Sequence, residues 1–428
     1  MEDCDRPIRV TVIQPSLAKY RVPVFRELAA RPGIDLQVVY GQNPGVPNVQ
    51  ADGFRAIALP RLQRKVWGSL VMFQSAEWKY CSRKYSDVVV LRWSPRSLTQ
   101  FPALLRARAA GVATVLWGHG YSKSDRGWWQ RVRNWLGRRA SAILFYEPRT
   151  RDAYVRDGWD SDTLFVALNC LDHSDVEEAR QWWLDHPDEL VQFRRDQQID
   201  NDPMILFVSR LHAANRVEWL IQATAELARE MPGLKTVIIG NGPAEKERLK
   251  ALAVEMKADS NVVFQDGIYD ERRLAPWFLS ARVFCYPANM GLSLLHAFWY
   301  GVPVVASNRL EVQGPEVAAL EHGINGLCYD YGSVASLIDS LRQVITNEAL
   351  RQSLSQGARR TVEGRFTVPR MVDGMEAAIR YAHHSLTAAR TKPIDKSSIN
   401  RTKAADLSYM RSSSAALSTH SSEEPLER

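Results

Sequence analysis

A chain of 428 residues exceeds the size at which one hydrophobic core keeps growing, so two domains with additions are expected. Hydrophobic residues make up 45% and charged residues 24%, a balance that excludes a membrane-embedded or wholly disordered protein. The formal net charge of +7 suits nucleic acid, an anionic membrane surface or phosphate-bearing ligands, and charge alone does not choose among them.

Met1 to Arg9 is charged and has no apolar stretch, and no apolar run reaches the roughly eighteen residues of a membrane span. The expectation is a cytoplasmic protein. The five cysteines, Cys4, Cys81, Cys170, Cys285 and Cys328, are scattered without paired spacing, which argues against a disulfide framework or a structural zinc.

Short β-branched runs then alternate with helix-length segments, the pattern of doubly wound α/β domains whose parallel sheets are covered on both faces. A first series reads Val10 to Ile13, Leu36 to Tyr40, Val88 to Leu91, Thr114 to Trp117, Ala142 to Phe145 and Leu164 to Val166. A second reads Met204 to Val208, Thr236 to Ile239, Val262 to Phe264, Val283 to Tyr286 and Val304 to Ala306. The charged connector between them predicts helices over Val176 to Leu184 and Asp188 to Gln197, and Val368 to His384 reads as a C-terminal helix with Pro369 in its first turn. The expected layout is an N-terminal Rossmann-like domain over 7–185, a C-terminal one over 186–366, a helix packing back over 367–386, and a disordered tail over 387–428.

Ligands of open parallel sheets bind outside the carboxyl ends of the strands, so the residues just after each strand are the candidates. After the first series come Gln14 to Tyr20, Arg92 to Arg96 and Gly118 to Tyr121; Tyr20, Arg21 and Arg92 are the candidates for ligand contact on this side. His119 lies between two glycines, where its imidazole has room to approach a sugar hydroxyl or to move a proton. In the second series Arg210 follows a buried strand and Arg216 comes shortly after; guanidinium groups there complement a diphosphate, with structural ion pairing as the alternative for Arg216. Asn241 and Gly242 follow the next strand, and Gly267 and Ile268 the one after.

The densest constellation is Pro287-Ala-Asn-Met-Gly-Leu-Ser-Leu-Leu-His, running on to Gly301-Val-Pro-Val-Val. A strand ends at Pro287, and a turn through Asn289 leads to a helix opening near Gly291, whose amides at Gly291, Leu292 and Ser293 point outward as an anion site. Structural punctuation is the competing reading of the same residues. Trp128, Val132, Trp135 and Leu136 form one stripe of a further helix, with Arg131, Arg133, Arg138 and Arg139 on its other faces. That helix either rests on an anionic bilayer or packs its stripe on the sheet.

Taken together, Ile205-Leu-Phe-Val-Ser-Arg-Leu-His, Val237-Ile-Ile-Gly-Asn-Gly-Pro, Val263-Phe-Gln-Asp-Gly-Ile, the Pro287 block, Pro315-Glu-Val and Gly323-Ile-Asn-Gly-Leu resemble family 4 glycosyltransferases in order and spacing. Tyr20-Arg-Val-Pro-Val-Phe, the His119 loop and Asn169-Cys-Leu-Asp172 extend the resemblance into the first domain. It implies the GT-B fold: two Rossmann-like domains facing a cleft and a crossing C-terminal helix. It also implies a nucleotide-sugar donor (UDP-, GDP- or dTDP-sugar) on the second domain, a saccharide or lipid-linked acceptor on the first, retention of configuration and no essential metal. By the same resemblance Arg210 neutralises the donor diphosphate, Gly267 and Ile268 face the base, and His119 approaches the transferred sugar; His296 and Glu316 join the donor contacts.

Two departures stand out. The family often carries two glutamates in the block after Pro287, and Ala288 and His296 occupy those positions here. Asn215 stands where a lysine is usual. A transferase of bacterial polysaccharide or envelope glycan assembly, in the cytoplasm or held at the inner membrane face, and a GT-B partner protein without activity both fit. An epimerase of the same fold is disfavoured by the motifs, and no nucleic-acid motif is present.

Overall fold

The computed structural model describes residues 6–42, 48–66, 69–121, 127–199 and 202–391. The chain divides into a unit of residues 1–383, which contains both sheets, and a second of residues 384–428, whose described part continues the last helix.

The first half runs β1 (Ile8–Gln14), α1 (Val22–Ala29), β2 (Ile34–Tyr40), β3 (Arg55–Ala58), β4 (Arg61–Val66), β5 (Ser69–Gln74), α2 (Ser75–Tyr80) and β6 (Val88–Arg92). It continues through α3 (Gln100–Ala110), β7 (Ala113–Gly118), α4 (Gly127–Gly137), β8 (Ala142–Phe145), α5 (Pro148–Arg156) and β9 (Leu164–Val166). After α6 (Ser174–Asp185) and α7 (Pro187–Asp196) come β10 (Met204–Val208), α8 (Val217–Glu230), β11 (Lys235–Ile239), α9 (Pro243–Glu255), β12 (Val262–Gln265) and α10 (Glu271–Ser280). The chain then forms β13 (Val283–Tyr286), α11 (Ser293–Trp299), β14 (Val304–Ser307), β15 (Gly326–Tyr329), α12 (Val334–Thr346), α13 (Glu348–Arg365) and α14 (Val368–Thr391).

Two parallel sheets result, a seven-stranded one in the order β3-β2-β1-β6-β7-β8-β9 and a six-stranded one in the order β12-β11-β10-β13-β14-β15. Each steps outward from its first strand and returns to that strand's other side, so each has a switch point, at β1/β6 and at β10/β13. Loops leaving neighbouring strands there diverge to opposite faces and open a crevice. The central strands are apolar because helices cover both faces; every residue from Met204 to Phe207 is buried. Side-chain caps fix several helix starts: Asp270 Oδ1 accepts from Arg273 N at 3.1 Å, and Asn347 Oδ1 from Leu350 N at 3.0 Å.

Four strands exceed the sequence expectation. β3 is a largely exposed edge strand held by pairing to β2, and β15 is a short strand beginning at a glycine that pairs with β14 and sends Leu327 and Tyr329 into the core. The other two, β4 and β5, form an antiparallel pair, and β5 lays Met72 beside Ser97 through Met72 N to Arg96 O (3.0 Å) and Leu98 N to Met72 O (2.9 Å).

The domain boundary also moves. Helix α6, placed in the first domain by the division at 185, buries Val176 and Ala179 in the core of the second, because its apolar stripe meets α10. Helix α14 returns to the first domain: Phe165 and Tyr381 rings lie 5.3 Å apart, Arg31 pairs with Asp373 at 2.9 Å, and Arg380 Nη2 donates to Pro32 O at 2.6 Å. At Gly374 the helix backbone comes so near β9 that a Cβ would sit 2.0 Å from Val166 O. The helix extends past the expected end at 386, to Thr391; the rest of the expected tail lies outside the described residues.

Candidate functional site

At the carboxyl end of the second sheet, Asn241 joins three loops. Its backbone carbonyl accepts Leu211 N at 2.8 Å, its Oδ1 accepts Gly267 N at 2.9 Å, and its Nδ2 donates to Tyr269 OH at 3.2 Å. The segment after β10 that carries Arg210, the Asn241-Gly242 turn after β11 and the Gly267-Ile268 loop after β12 are thereby held as one surface. Arg210 is exposed on that surface, whereas Ile268 leans on the core of the domain.

The loop after β13 is tied to the one after β14. Gln313 Oε1 accepts Met290 N at 2.8 Å, and Gly314 N donates to Met290 O at 2.7 Å. Asn289 adopts a left-handed turn (φ 59°), and Gly291, Leu292 and Ser293 lead into α11. Glu316, only 6% exposed, is brought alongside Gly291 and accepts from Asn169 Nδ2 of the segment after β9. Arg210 and Glu316 both act electrostatically on the buried Tyr286 phenol, whose pKa is raised by burial first of all.

Three sequence candidates have partners within the protein. Asn215, at the usual lysine position, is 2% exposed and donates to Tyr286 OH at 2.7 Å, while its carbonyl accepts Ala288 N at 3.1 Å; it braces the loop and brings no cation. Arg216 caps α8 in a left-handed conformation and pairs with Glu218 at 3.3 Å, the ion-pair alternative. His296 Nε2 lies 2.8 Å from Glu271 Oε1, which also accepts Tyr300 OH at 2.6 Å, and the imidazole packs 4.8 Å from the Phe278 ring. Burial alone would raise the Glu271 carboxyl, but these hydrogen bonds outweigh it and hold its pKa below the ordinary glutamate value.

Across from this surface, the first sheet's switch point opens a cavity of about 690 Å³. It is lined by Gln14 at the end of β1 and Tyr20 beyond it, by Arg92 to Arg96 from the end of β6 onward, by Trp117 to His119 at the end of β7 and by Tyr146 after β8; Gln313, Gly314 and Pro315 complete it from the second domain. Arg21 is 6% exposed, its guanidinium 4.5 Å from the Trp117 ring, and its Nη2 donates to Tyr146 OH at 3.3 Å. The exposed His119 ring lies 4.7 Å from Tyr146. Tyr20, Arg21, Arg92 and His119 are therefore in one cavity, and Arg210 is outside its lining.

The sequence reading missed Arg61 and Arg133 in this lining. Arg61 depends on the β4–β5 pair, whose alternating Arg61-Leu-Gln-Arg and Val71-Met-Phe-Gln segments were the available signal. Arg133 was assigned to an outer face of α4, yet it is buried. Leu136 of the same helix joins the sheet's core, with Val132 and Trp135 packed against it, which answers to the packing alternative for the stripe; Trp128 stays 51% exposed. Among the described residues no group of three or more His, Cys, Asp or Glu is placed to hold a metal ion, and no helix is long and apolar enough to cross a membrane.

Residues 202–347 match the family model of glycosyl transferases group 1. The chain is 25% identical to the N-acetyl-alpha-D-glucosaminyl L-malate synthase of Bacillus anthracis, over 44% of this chain and 50% of that protein. It is 24% identical to the 2-deoxystreptamine N-acetyl-D-glucosaminyltransferase of Niallia circulans, over 53% of this chain and 55% of that protein. It thus spans about half the length of these two curated relatives. In three dimensions it matches Anabaena HepE in complex with UDP, at a TM-score of 0.64 and 16% identity over 87% of this chain and 100% of that one. Sucrose-phosphate synthase from Thermosynechococcus elongatus matches at 0.63 and 17% identity, over 89% and 100%. The chain has the GT-B fold and resembles the family 4 glycosyltransferases, with the family match concentrated in residues 202–347.

Proposed function

We propose that the protein is a retaining glycosyltransferase that moves a sugar from a nucleotide-sugar donor to a saccharide or lipid-linked saccharide acceptor, in bacterial polysaccharide or envelope glycan synthesis. The observation that carries this reading is the Asn241-braced surface, which presents Arg210 at the second sheet's switch point, while Gln313, Gly314 and Pro315 of the same domain line a cavity of the first. UDP in the HepE structure and the group 1 match over the second domain support a nucleotide donor there.

Cleavage of a glycosyl bond to a nucleoside diphosphate leaves negative charge on the phosphate. Arg210 and the amides ahead of α11 stabilise that charge as it develops, Gly267 and Ile268 face the base, and Glu316 contacts the sugar. His119 approaches the transferred sugar from the opposite domain. Closure of the cleft excludes water and limits hydrolysis. No step is assigned to a metal. The exposed Trp128 and Arg131 of α4, with the exposed Arg138 just past its end, support contact with an anionic membrane face inside the cell.

Ala288 and the buried Asn215 favour a second reading, a GT-B partner protein that binds nucleotide without transferring sugar. Calorimetry with UDP, GDP, dTDP and their sugars, followed by NMR of the product's anomeric configuration, separates the two. Tight binding lost in Arg210→Ala, with retained configuration in the product, is expected. Binding without turnover on any lipid-linked acceptor supports the second reading, and no affinity for any nucleotide in folded protein removes both.

A further inference from the structure

Strands β4 and β5 form a hairpin with two unlike faces. Arg61 and Met72 of one face line the first-domain cavity, and Gln74 of the same face lines a smaller recess beside it. Successive side chains alternate between the faces of a strand, so Leu62, Arg64, Val71 and Phe73 belong to the other. There Leu62 stands directly opposite Phe73, and the two are 67% and 47% exposed. Met72 is bonded through its backbone to Arg96 and Leu98, which sets the exposed Leu98 beside this apolar pair.

The apolar surface continues along α3. Ala103, Leu104 and Ala107 face the core, and a surface helix ordinarily sets polar residues opposite such a stripe. Phe101 and Leu105, one turn apart, are exposed there instead. Neighbouring helices extend the patch: the Phe101 ring lies 4.7 Å from that of Trp135 on α4, and the exposed Trp78 of α2 has the Arg106 guanidinium 4.6 Å from its ring centre. A continuous apolar face of this kind marks a surface that meets something other than water. Charge indicates what covers it. Residues 61–139, from β4 to the turn after α4, contain sixteen lysines and arginines against three acidic residues, while the rest of the chain contains 39 against 45. Of the three acids, Glu77 is buried, Asp87 is bonded to Arg6 and Arg9, and Asp125 lies outside the described residues. Arg64 on the outer hairpin face, Arg108 just past Leu105 on α3 and Arg131 of α4 are all exposed. A second copy of the chain would set this basic surface against itself. An anionic layer with an apolar interior answers both features at once, since guanidinium groups meet headgroups while Leu, Phe and Trp enter beneath them.

We propose that the outer face of the β4–β5 hairpin, together with Leu98, Phe101 and Leu105, docks the first domain on an anionic lipid bilayer. The contact through Trp128 and Arg131 of α4 then belongs to a wider face centred on the hairpin. Because the inner face of the hairpin lines the cavity, docking sets that cavity beside the headgroups, where a lipid-linked acceptor presents its sugar. This last step rests on the glycosyltransferase reading; the docking itself does not.

The test is co-sedimentation of the full chain with vesicles of phosphatidylcholine alone and of phosphatidylcholine with phosphatidylglycerol, beside sedimentation velocity without lipid. Binding is expected to be at least about tenfold tighter with phosphatidylglycerol, to weaken as salt is added, and to fall about tenfold or more in Leu62→Ser/Phe73→Ser. Phe101→Ser/Leu105→Ser is the second variant should the hairpin one fail to fold, with circular dichroism as the check on folding. No binding to phosphatidylglycerol vesicles, equal binding to both vesicles, or undiminished binding by the folded variants overturns the proposal. So does loss in Trp128→Ser/Arg131→Gln without loss in the hairpin variant, which gives the contact to α4 alone. Concentration-dependent self-association that Leu62→Ser/Phe73→Ser abolishes also overturns it, and gives the face to a second copy. Vesicle binding through the hairpin without affinity for any nucleotide leaves the docking face standing and removes the donor reading.

Discussion

Asn169 Nδ2 donates to Glu316 Oε1 across 147 positions of sequence, joining the segment that leaves the first sheet to the loop that lies beside Gly291 and lends Gln313, Gly314 and Pro315 to the first-domain cavity. Both side chains are buried, so a hydrogen bond to a charged group is worth about 2 kcal/mol there. Asn169→Ala is expected to lower stability by roughly that amount in urea unfolding. In a glycosyltransferase it also lowers kcat by about tenfold or more, because the Glu316 carboxylate loses a positioning contact. Unchanged stability and turnover would mean that the bond does not hold the loop.

Gly240→Ala tests the brace around Asn241 through the backbone. A Cβ at that position would lie 1.8 Å from Ser209 O, so the loops after β10 and β11 must separate. A loss of about 1–3 kcal/mol is expected. Nucleotide affinity should fall further than stability, since Arg210 and Asn241 shift with these loops. Calorimetry on protein shown to be folded by circular dichroism makes the comparison.

Asp87 is one source of acid sensitivity. Asp87 receives Arg6 Nη1 at 2.8 Å, Arg9 Nη2 at 3.0 Å and the Arg9 amide at 3.0 Å. Burial acts to raise its carboxyl pKa, and these bonds outweigh burial and hold the group well below the usual carboxylate range. A depressed folded pKa contributes stability that is complete above the unfolded value of about 3.9 and is lost as pH falls through the folded one. Denaturation at stepped pH should show this decline below about pH 4, and Asp87→Asn should flatten it while lowering stability at neutral pH by about 1–2 kcal/mol.

Thiol chemistry gives an independent check on the two cores. Burial pushes the Cys81 and Cys170 thiols up to about 12 and raises that of Cys285 as well. Thiolate is the reactive species, so iodoacetamide at pH 8 should leave these three unmodified in native protein and label them in urea. Mass spectrometry locates the adducts, and native labelling of Cys285 would contradict the closed core around β13.

The two-domain α/β plan was legible because central strands such as Met204–Val208 carry continuous apolar runs, which burial on both faces demands. Post-strand loops were legible for the same reason, and His119, Arg21 and Arg92 do meet in one cavity. Edge strands β3 and β15 left little trace, since β3 is held by backbone pairing with little apolar content and β15 has only Leu327 and Tyr329 to bury after its opening glycine. The sequence alone thus determined that two doubly wound domains form and which loops leave their carboxyl ends. Only the tertiary structure decided which polar groups remain to meet a ligand: His296 was drawn to Glu271, Arg216 to Glu218 and Asn215 to Tyr286, while Arg61 and Arg133 joined the cavity. The physical reason is that a side chain's partner depends on elements distant in sequence, whereas the period of an apolar run depends only on its neighbours.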